Sequence, residues 1–236
     1  MGGQEPAVDL RRRVSSWIET AVIPYGEQWE VDGKIPRELF ADFASSGFLA
    51  YCYPEELGGS GGTFGHQVAI AQALYSSGFG GVALSLLGHS GIALHPLVAI
   101  GTPAQRQEWL VPGLRGAKIA GLAVSEPDAG SDVGGLKTSA AREGDAWVIN
   151  GTKVFVTLGT SADFLIVAAR SLPHPRAKGL SLFVVPTDAP GLRVERRMGK
   201  LGMRSSDTAV ITFEDCLVPS GALVGLEGEG FKPVMR

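Results

Sequence analysis

Apolar residues in the first half of the chain recur at helical spacing. Across residues 8–23, Val8, Leu10, Val14, Trp17, Ile18, Ala21 and Val22 fall mostly on one face, and Pro24 ends the run. Pro36 suits a first helical position; Leu39, Phe40, Phe43 and Ala44 then make an apolar face that Gly47 stops. Residues 68–75 repeat the pattern, with Gly78 as the stop. Thr102-Pro103 reads as a cap followed by a first-turn proline, opening a short helix through Trp109 and Leu110. The pattern predicts a series of helices over residues 7–115.

Near Lys118 the period changes. Residues 119–124, 146–150, 153–157, 164–168, 180–185 and 209–213 are short runs rich in Val, Ile, Phe and Thr. Turn residues separate them: Glu143-Gly144-Asp145, Asn150-Gly151 and Ala189-Pro190-Gly191. Asn-Gly between two strand-like runs predicts a hairpin at residues 150–151. Short strands with no helices between them point to a barrel or sandwich rather than a parallel sheet of βαβ units. The expected architecture is therefore α+β and multidomain. An all-α helical domain (residues 1–116) precedes an antiparallel β-barrel domain (117–227), and residues 228–236 begin something further. No internal repeat or low-complexity tract interrupts this order.

Composition sharpens the picture in a few places. Of 236 residues, 44% are hydrophobic and 19% charged, which is a globular profile. The 33 glycines are about twice the usual share of ~7%, which excludes a plain helical bundle and fits a turn-rich second half. A net charge of −3 offers no sequence-wide attraction for nucleic acid. Arg11-Arg12-Arg13 reads as the solvated face of the first helix. Cys52 and Cys216 form no C-x-x-C, so reduced thiols in a cytoplasmic protein are expected. The most apolar stretch, residues 82–100, is broken by Ser85, His89, Ser90, His95 and Pro96, and is expected to be a buried helix or two rather than a membrane span.

Several chemistries can be set aside. The glycines of residues 58–62 lack the G-K-[ST] ending of a phosphate loop and read as a loop between helices. Nothing alternates strand and helix as a Rossmann site requires. His66, His89, His95 and His174 have no ligand spacing, so no metal site is expected, and G-x-S-x-G is absent.

Two segments remain. In Leu122-Ala-Val-Ser125-Glu-Pro-Asp-Ala-Gly-Ser131, a strand runs into a Pro/Gly/Ser turn that offers backbone N–H groups and the hydroxyls of Ser125 and Ser131. That suits a flat, weakly charged heterocycle held by neutral hydrogen bonds, although an ordinary turn has the same composition. In Gly151-Thr-Lys-Val-Phe155-Val-Thr157, strand periodicity puts Phe155 and Thr157 on one face, to contact a ring or to pack in a core.

These segments together resemble the acyl-CoA dehydrogenase family of flavoproteins. The resemblance extends collinearly through Pro54-Glu-Glu-Leu-Gly-Gly-Ser-Gly61, Gly88-His89-Ser90 and Gly101-Thr-Pro-Ala-Gln105. It continues through Lys200-Leu-Gly-Met-Arg-Ser-Ser-Asp-Thr208, Phe213-Glu-Asp-Cys-Leu-Val-Pro219 and Gly228-Glu-Gly-Phe231. It implies FAD, with Leu122, Val124, Ser125, Gly130, Ser131, Phe155, Val156 and Thr157 as cofactor-binding residues. Ser125 stands where a hydroxyl meets the isoalloxazine ring, and Thr157 is the hydroxyl donor toward flavin N5. Ser131 stands where a serine touches cofactor and acyl chain, and Leu86, Leu87 and His89 are expected to line the substrate pocket.

The implied reaction is α,β-dehydrogenation of an acyl-CoA or acyl-carrier thioester, with an electron-transfer flavoprotein as acceptor and a dimeric or tetrameric assembly. Alternatives are a flavin oxidase or monooxygenase of the same fold, or a non-catalytic flavin or thioester binding module. Many members carry Tyr or Phe at Leu122, Gly at Asp128 and Trp at Phe155; the last change keeps an aromatic face and loses an N–H donor. The family's catalytic Glu sits on a C-terminal four-helix domain that residues 1–236 do not include, and no Glu here matches it. Glu126 reads as a structural hydrogen-bonder. The chain is therefore expected to be a fragment lacking the base, or else a natural half or a degenerate relative, and to be inactive alone.

Overall fold

The computed structural model describes residues 5–174, 179–230 and 232. The N-terminal half is helical, as the periodicity predicts. Helix α1 (Ala7–Ala21) buries Leu10, Val14 and Ile18, and α2 (Gly26–Asp32), unforeseen in the sequence, stops at the left-handed Gly33. Helix α3 (Glu38–Ser45) contributes Leu39, Phe40 and Phe43 to the same core, which α4 (Phe64–Ser76) completes. Next, α5 (Gly80–Leu87) passes through a π-helical turn, Gly88–Ala93, into α6 (His95–Ile100). Short helices α7 (Pro103–Gln105) and α8 (Val111–Leu114) flank a second π turn. Thr102 caps α7 by accepting the Gln105 amide, while the Gln105 side chain accepts the Thr102 amide.

Gly80–Ile100 is long and apolar enough to cross a bilayer, yet half of its most apolar window is buried within the protein. Leu94 and Leu97 pack against Phe164, Ile166 and Leu182 of the sheet, so the apolarity has a protein partner.

The second half is an eight-stranded sheet: β1 (Ala120–Ala123), β2 (Ser139–Glu143), β3 (Ala146–Thr157), β4 (Phe164–Arg170), β5 (Leu180–Pro186), β6 (Leu192–Arg197), β7 (Thr208–Pro219) and β8 (Leu223–Val224). Their order is β6-β7-β3-β2-β4-β5-β8, with β1 added to β4. The expected closed antiparallel barrel is corrected on both points. The sheet is open, and β1 runs parallel to β4, as does the single pairing of β2 with β4. Strand β4 is buried on both faces. Leu165, Val167 and Ala169 join one core, and Phe164, Ile166 and Ala168 join the other beneath α6 and α8. That explains its unbroken apolar sequence. At the free edge, β6 carries Arg193, Glu195, Arg196 and Arg197, charges that discourage further strand pairing.

The predicted hairpin at Asn150-Gly151 is also overturned. Both residues lie inside β3, and the β2–β3 turn is at Gly144, whose φ is +59°. Asn150 instead serves a bulge. Ile149 pairs with Cys216 and Gly151 with Phe213, so β7 holds an extra residue there. The Asn150 amide clamps that bulge, accepting the Asp215 amide at 2.8 Å and donating to its carboxylate at 3.1 Å. Gly151 is required because a Cβ would lie 2.5 Å from Thr138 Oγ1.

Candidate functional site

Strand β1 leads into the turn that carries the first sequence-selected segment, and β3 lies beside its exit. The Val154 amide donates to the Ser125 carbonyl at 2.8 Å. Lys153 Nζ donates to the Val124 carbonyl at 2.9 Å and to Glu126 Oε1 at 2.8 Å. Glu126 also accepts the Lys137 and Thr138 amides at 2.7 and 2.9 Å, so it is the structural hydrogen-bonder expected of it. These hydrogen bonds hold the Glu126 carboxyl below its usual range although burial pushes it up. Burial pulls Lys153 down to about 8 against the opposing pull of Glu126. A lysine inside a Val/Phe run, at an inward position, was the unread sequence signal for this contact.

The two segments thus meet where the exit of β1 lies beside β3. Ser125 and Thr157 are half-buried, and neither hydroxyl has a hydrogen-bond partner among the described residues. Phe155 is 64% exposed, and Val156, buried, separates it from the half-buried Thr157. The alternation breaks just before. Lys153 pairs with Ile211 and Val156 with Ala209, so β3 bulges at Phe155, whose φ is +58°. Gly130 and Ser131 lie exposed on the turn, where a Cβ on Gly130 would meet nothing within 4 Å. Asp128, where many family members carry Gly, is exposed and paired with Lys137 Nζ at 2.9 Å. The side chain of Val156 is in the sheet core, leaving only its backbone to face a ligand.

The pocket residues need correction. Leu86 is fully buried within the helical core, and Leu87 packs against that core. His89 is fully buried as well: its Nδ1 accepts the Ala120 amide at 3.0 Å, which leaves Nε2 to donate to the Gly113 carbonyl at 3.0 Å. Burial pulls its pKa down to about 4, so the ring is neutral and fastens helix to strand. One open cavity lies beside β1 instead. About 550 Å³ in volume, it runs between α4, the first π turn and β1, and Tyr53, Phe64, Gln67, Ile92, His95 and Leu122 line it. Leu122 is the one sequence-selected residue in its wall. Burial pushes the thiol of Cys52, at the same wall, up to about 11, so it stays protonated at neutral pH.

Comparison with known proteins bears on this arrangement. Residues 4–117 match the family model described as the N-terminal domain of acyl-CoA dehydrogenase, and residues 121–216 match the middle domain. The short-chain specific acyl-CoA dehydrogenase of Rattus norvegicus mitochondria is 35% identical over 228 residues, covering 96% of this chain and 55% of the relative. The crystal structure of a probable acyl CoA dehydrogenase from Mycobacterium abscessus superposes with a TM-score of 0.93 at 41% identity, covering 97% of this chain and 60% of that one. An acyl-CoA dehydrogenase from Bacillus anthracis, complexed with FAD, gives a TM-score of 0.89 at 29% identity, over 99% of this chain and 40% of that one. The chain spans about half the length of the curated relatives it matches.

Proposed function

Because this chain belongs to the acyl-CoA dehydrogenase family and carries its N-terminal and middle domains, we propose that it forms the flavin-binding part of an enzyme that oxidises an acyl-CoA or acyl-carrier thioester between Cα and Cβ. The residues present fit FAD. The donor set is neutral, with uncommitted hydroxyls on Ser125 and Thr157, an exposed aromatic ring at Phe155, and a nearby carboxylate already neutralised by Lys137. Of the carboxylates on this turn, Glu126 and Asp128 are paired with lysines, while the exposed Asp132 has no side-chain partner among the described residues and would have to point away from a diphosphate.

When bound, FAD supplies the hydride acceptor. The chain's own contribution is to bind, orient and shield. Ser125 and Thr157 would donate hydrogen bonds to the flavin, Phe155 would offer it an aromatic contact, and Ser131 would lie between the cofactor and the acyl thioester. Sheet and helices exclude water behind them. The 550 Å³ cavity beside Leu122 has the size of a small-molecule site and receives part of the substrate. Glu126 is committed to Lys153 and two amides, so it is not free to take the α-proton, and that role falls to another carboxylate. Electrons pass to an electron-transfer flavoprotein.

The observation that carries this reading is the meeting of Ser125 and the bulged Phe155–Thr157 segment, stitched by the Val154–Ser125 hydrogen bond. Titration of the chain with FAD, followed by flavin fluorescence, tests the binding. Dye reduction by the intact gene product with a series of acyl-CoA thioesters tests the reaction. No binding at saturating FAD, or no reduction with any thioester, would sink it.

A further inference from the structure

Among the described residues, Glu126–Lys153 is the one ion pair with both side chains shielded from water, at 5% and 0% exposure. Removing two charges from water is costly, and an apolar pair would fill the same space. Its position shows what it secures. The ammonium of Lys153 holds the Val124 carbonyl and the Glu126 carboxylate, and that carboxylate holds the Lys137 and Thr138 amides. Both ends of the 124–138 turn are therefore tied to one point on β3.

The point lies two residues before the strained Phe155. Side chains alternate faces along a regular strand, so positions 153 and 156 would face opposite sides. Here both are buried, at 0% and 1% exposure, and the extra residue that allows it is Phe155. A bulky aromatic in the left-handed region is sterically disfavoured and persists only where its surroundings over-determine it. Freed of Lys153, β3 could return to regular alternation. Val156 would stay inward and Phe155 would leave its positive φ, while the Val154–Ser125 contact would shift.

We infer that the Glu126–Lys153 pair is a register lock. By pinning Lys153 inward it holds the bulge at Phe155, and it thereby sets the presentation of Ser125, Phe155 and Thr157 to a flavin. Both are positioning residues. The lock stands on the register alone; its effect on a ligand rests on the flavin reading.

The test uses the 236-residue chain as wild type, Glu126→Gln, Lys153→Met and the double variant. The double variant leaves no uncompensated buried charge and so keeps the experiment valid if either single variant unfolds. Backbone hydrogen exchange is measured without ligand, and FAD affinity by fluorescence titration. The lock predicts that in the double variant protection at Val154 and Leu158 falls at least tenfold while Val167 and Phe183 keep theirs. It also predicts that the FAD dissociation constant rises at least tenfold. Unchanged protection at Val154 and Leu158, or a uniform loss across β3–β5, overturns the lock and leaves the pair a simple tether. Wild-type protein that binds no FAD overturns the flavin reading instead, and hydrogen exchange still decides the lock.

Discussion

Arg37 sets one guanidinium nitrogen against both carboxylate oxygens of Asp163, at 3.0 and 2.8 Å. Its other terminal nitrogen donates to the Ser161 carbonyl at 3.0 Å. Asp163 Oδ2 also accepts the Ile119 amide at 2.6 Å, so the contact joins the start of α3 to the entries of β1 and β4. The two partners are not equivalent. Arg37 is half-exposed, and Arg37→Ala should cost no more than ~1 kcal/mol. Asp163→Ala also strands the Ile119 amide and should cost about 2–3 kcal/mol. Urea unfolding of both variants checks the inequality; equal losses would contradict it.

His89 gives the fold a pH dependence of definite sign. Its native pKa is near 4 against an ordinary 6.5, because burial disfavours the charged ring. Between those values the unfolded chain binds a proton that the native chain does not, so stability falls as pH falls through that window and is fully present above it. The shift corresponds to roughly 3 kcal/mol. Unfolding free energies at pH 7.5 and 4.5 should therefore differ more in the wild type than in His89→Gln, which has a side chain able to donate and accept but not to titrate. An equal difference in both proteins would rule the residue out as the source.

The hydroxyls of Ser125 and Thr157 support nothing within the described residues. Ser125→Ala and Thr157→Ala should leave the melting temperature of the ligand-free chain nearly unchanged. Each loses about one hydrogen bond to FAD, worth ~1 kcal/mol, or about fivefold in affinity. Calorimetry of the ligand-free protein, paired with FAD titration, separates the two effects. A large loss of stability would mean that the hydroxyls have a structural role.

Phe155 trades stability for presentation. Its left-handed backbone and 64% exposure both count against it in the ligand-free chain. Phe155→Gly removes the steric conflict and should stabilise that chain by up to ~1 kcal/mol. The same change removes the ring and should weaken FAD binding. Denaturant midpoints and FAD titration should therefore move in opposite directions; a loss in both would show that Phe155 packs as a structural residue.

The helical half was legible wherever an apolar stripe had a clear stop, as in α1 and α3. It was less so at α2, where Gly26–Asp32 buries almost nothing of its own and carries no stripe to read. Strands β4 and β5 announced themselves as apolar runs because both faces are covered. Strands β2 and β6 did not, since Ser139–Glu143 and Leu192–Arg197 are polar and exposed and are held mainly by their neighbours' hydrogen bonds. Asn150-Gly151 misled for a related reason: a glycine required by close backbone approach to Thr138 looks the same in sequence as one required by a turn.

Local chemistry marked Ser125, Ser131, Phe155 and Thr157 as candidates, because short polar turns and aromatic strand positions are written in consecutive residues, but it left an ordinary turn and core packing equally open, and the resemblance alone gave them a flavin role. Which groups are free to act was a different matter. His89, Leu86 and the side chain of Val156 were taken up by packing between segments distant in the chain, and an open cavity formed around Gln67, Ile92 and His95 instead. The Glu126–Lys153 pair spans 27 residues, and the bulge it adjoins exists only in the register of β3 against β7. Periodicity and propensity act over a few neighbouring residues and fix what each segment prefers to be. Burial, register and the commitment of polar atoms depend on which segments meet, and that follows from long-range packing.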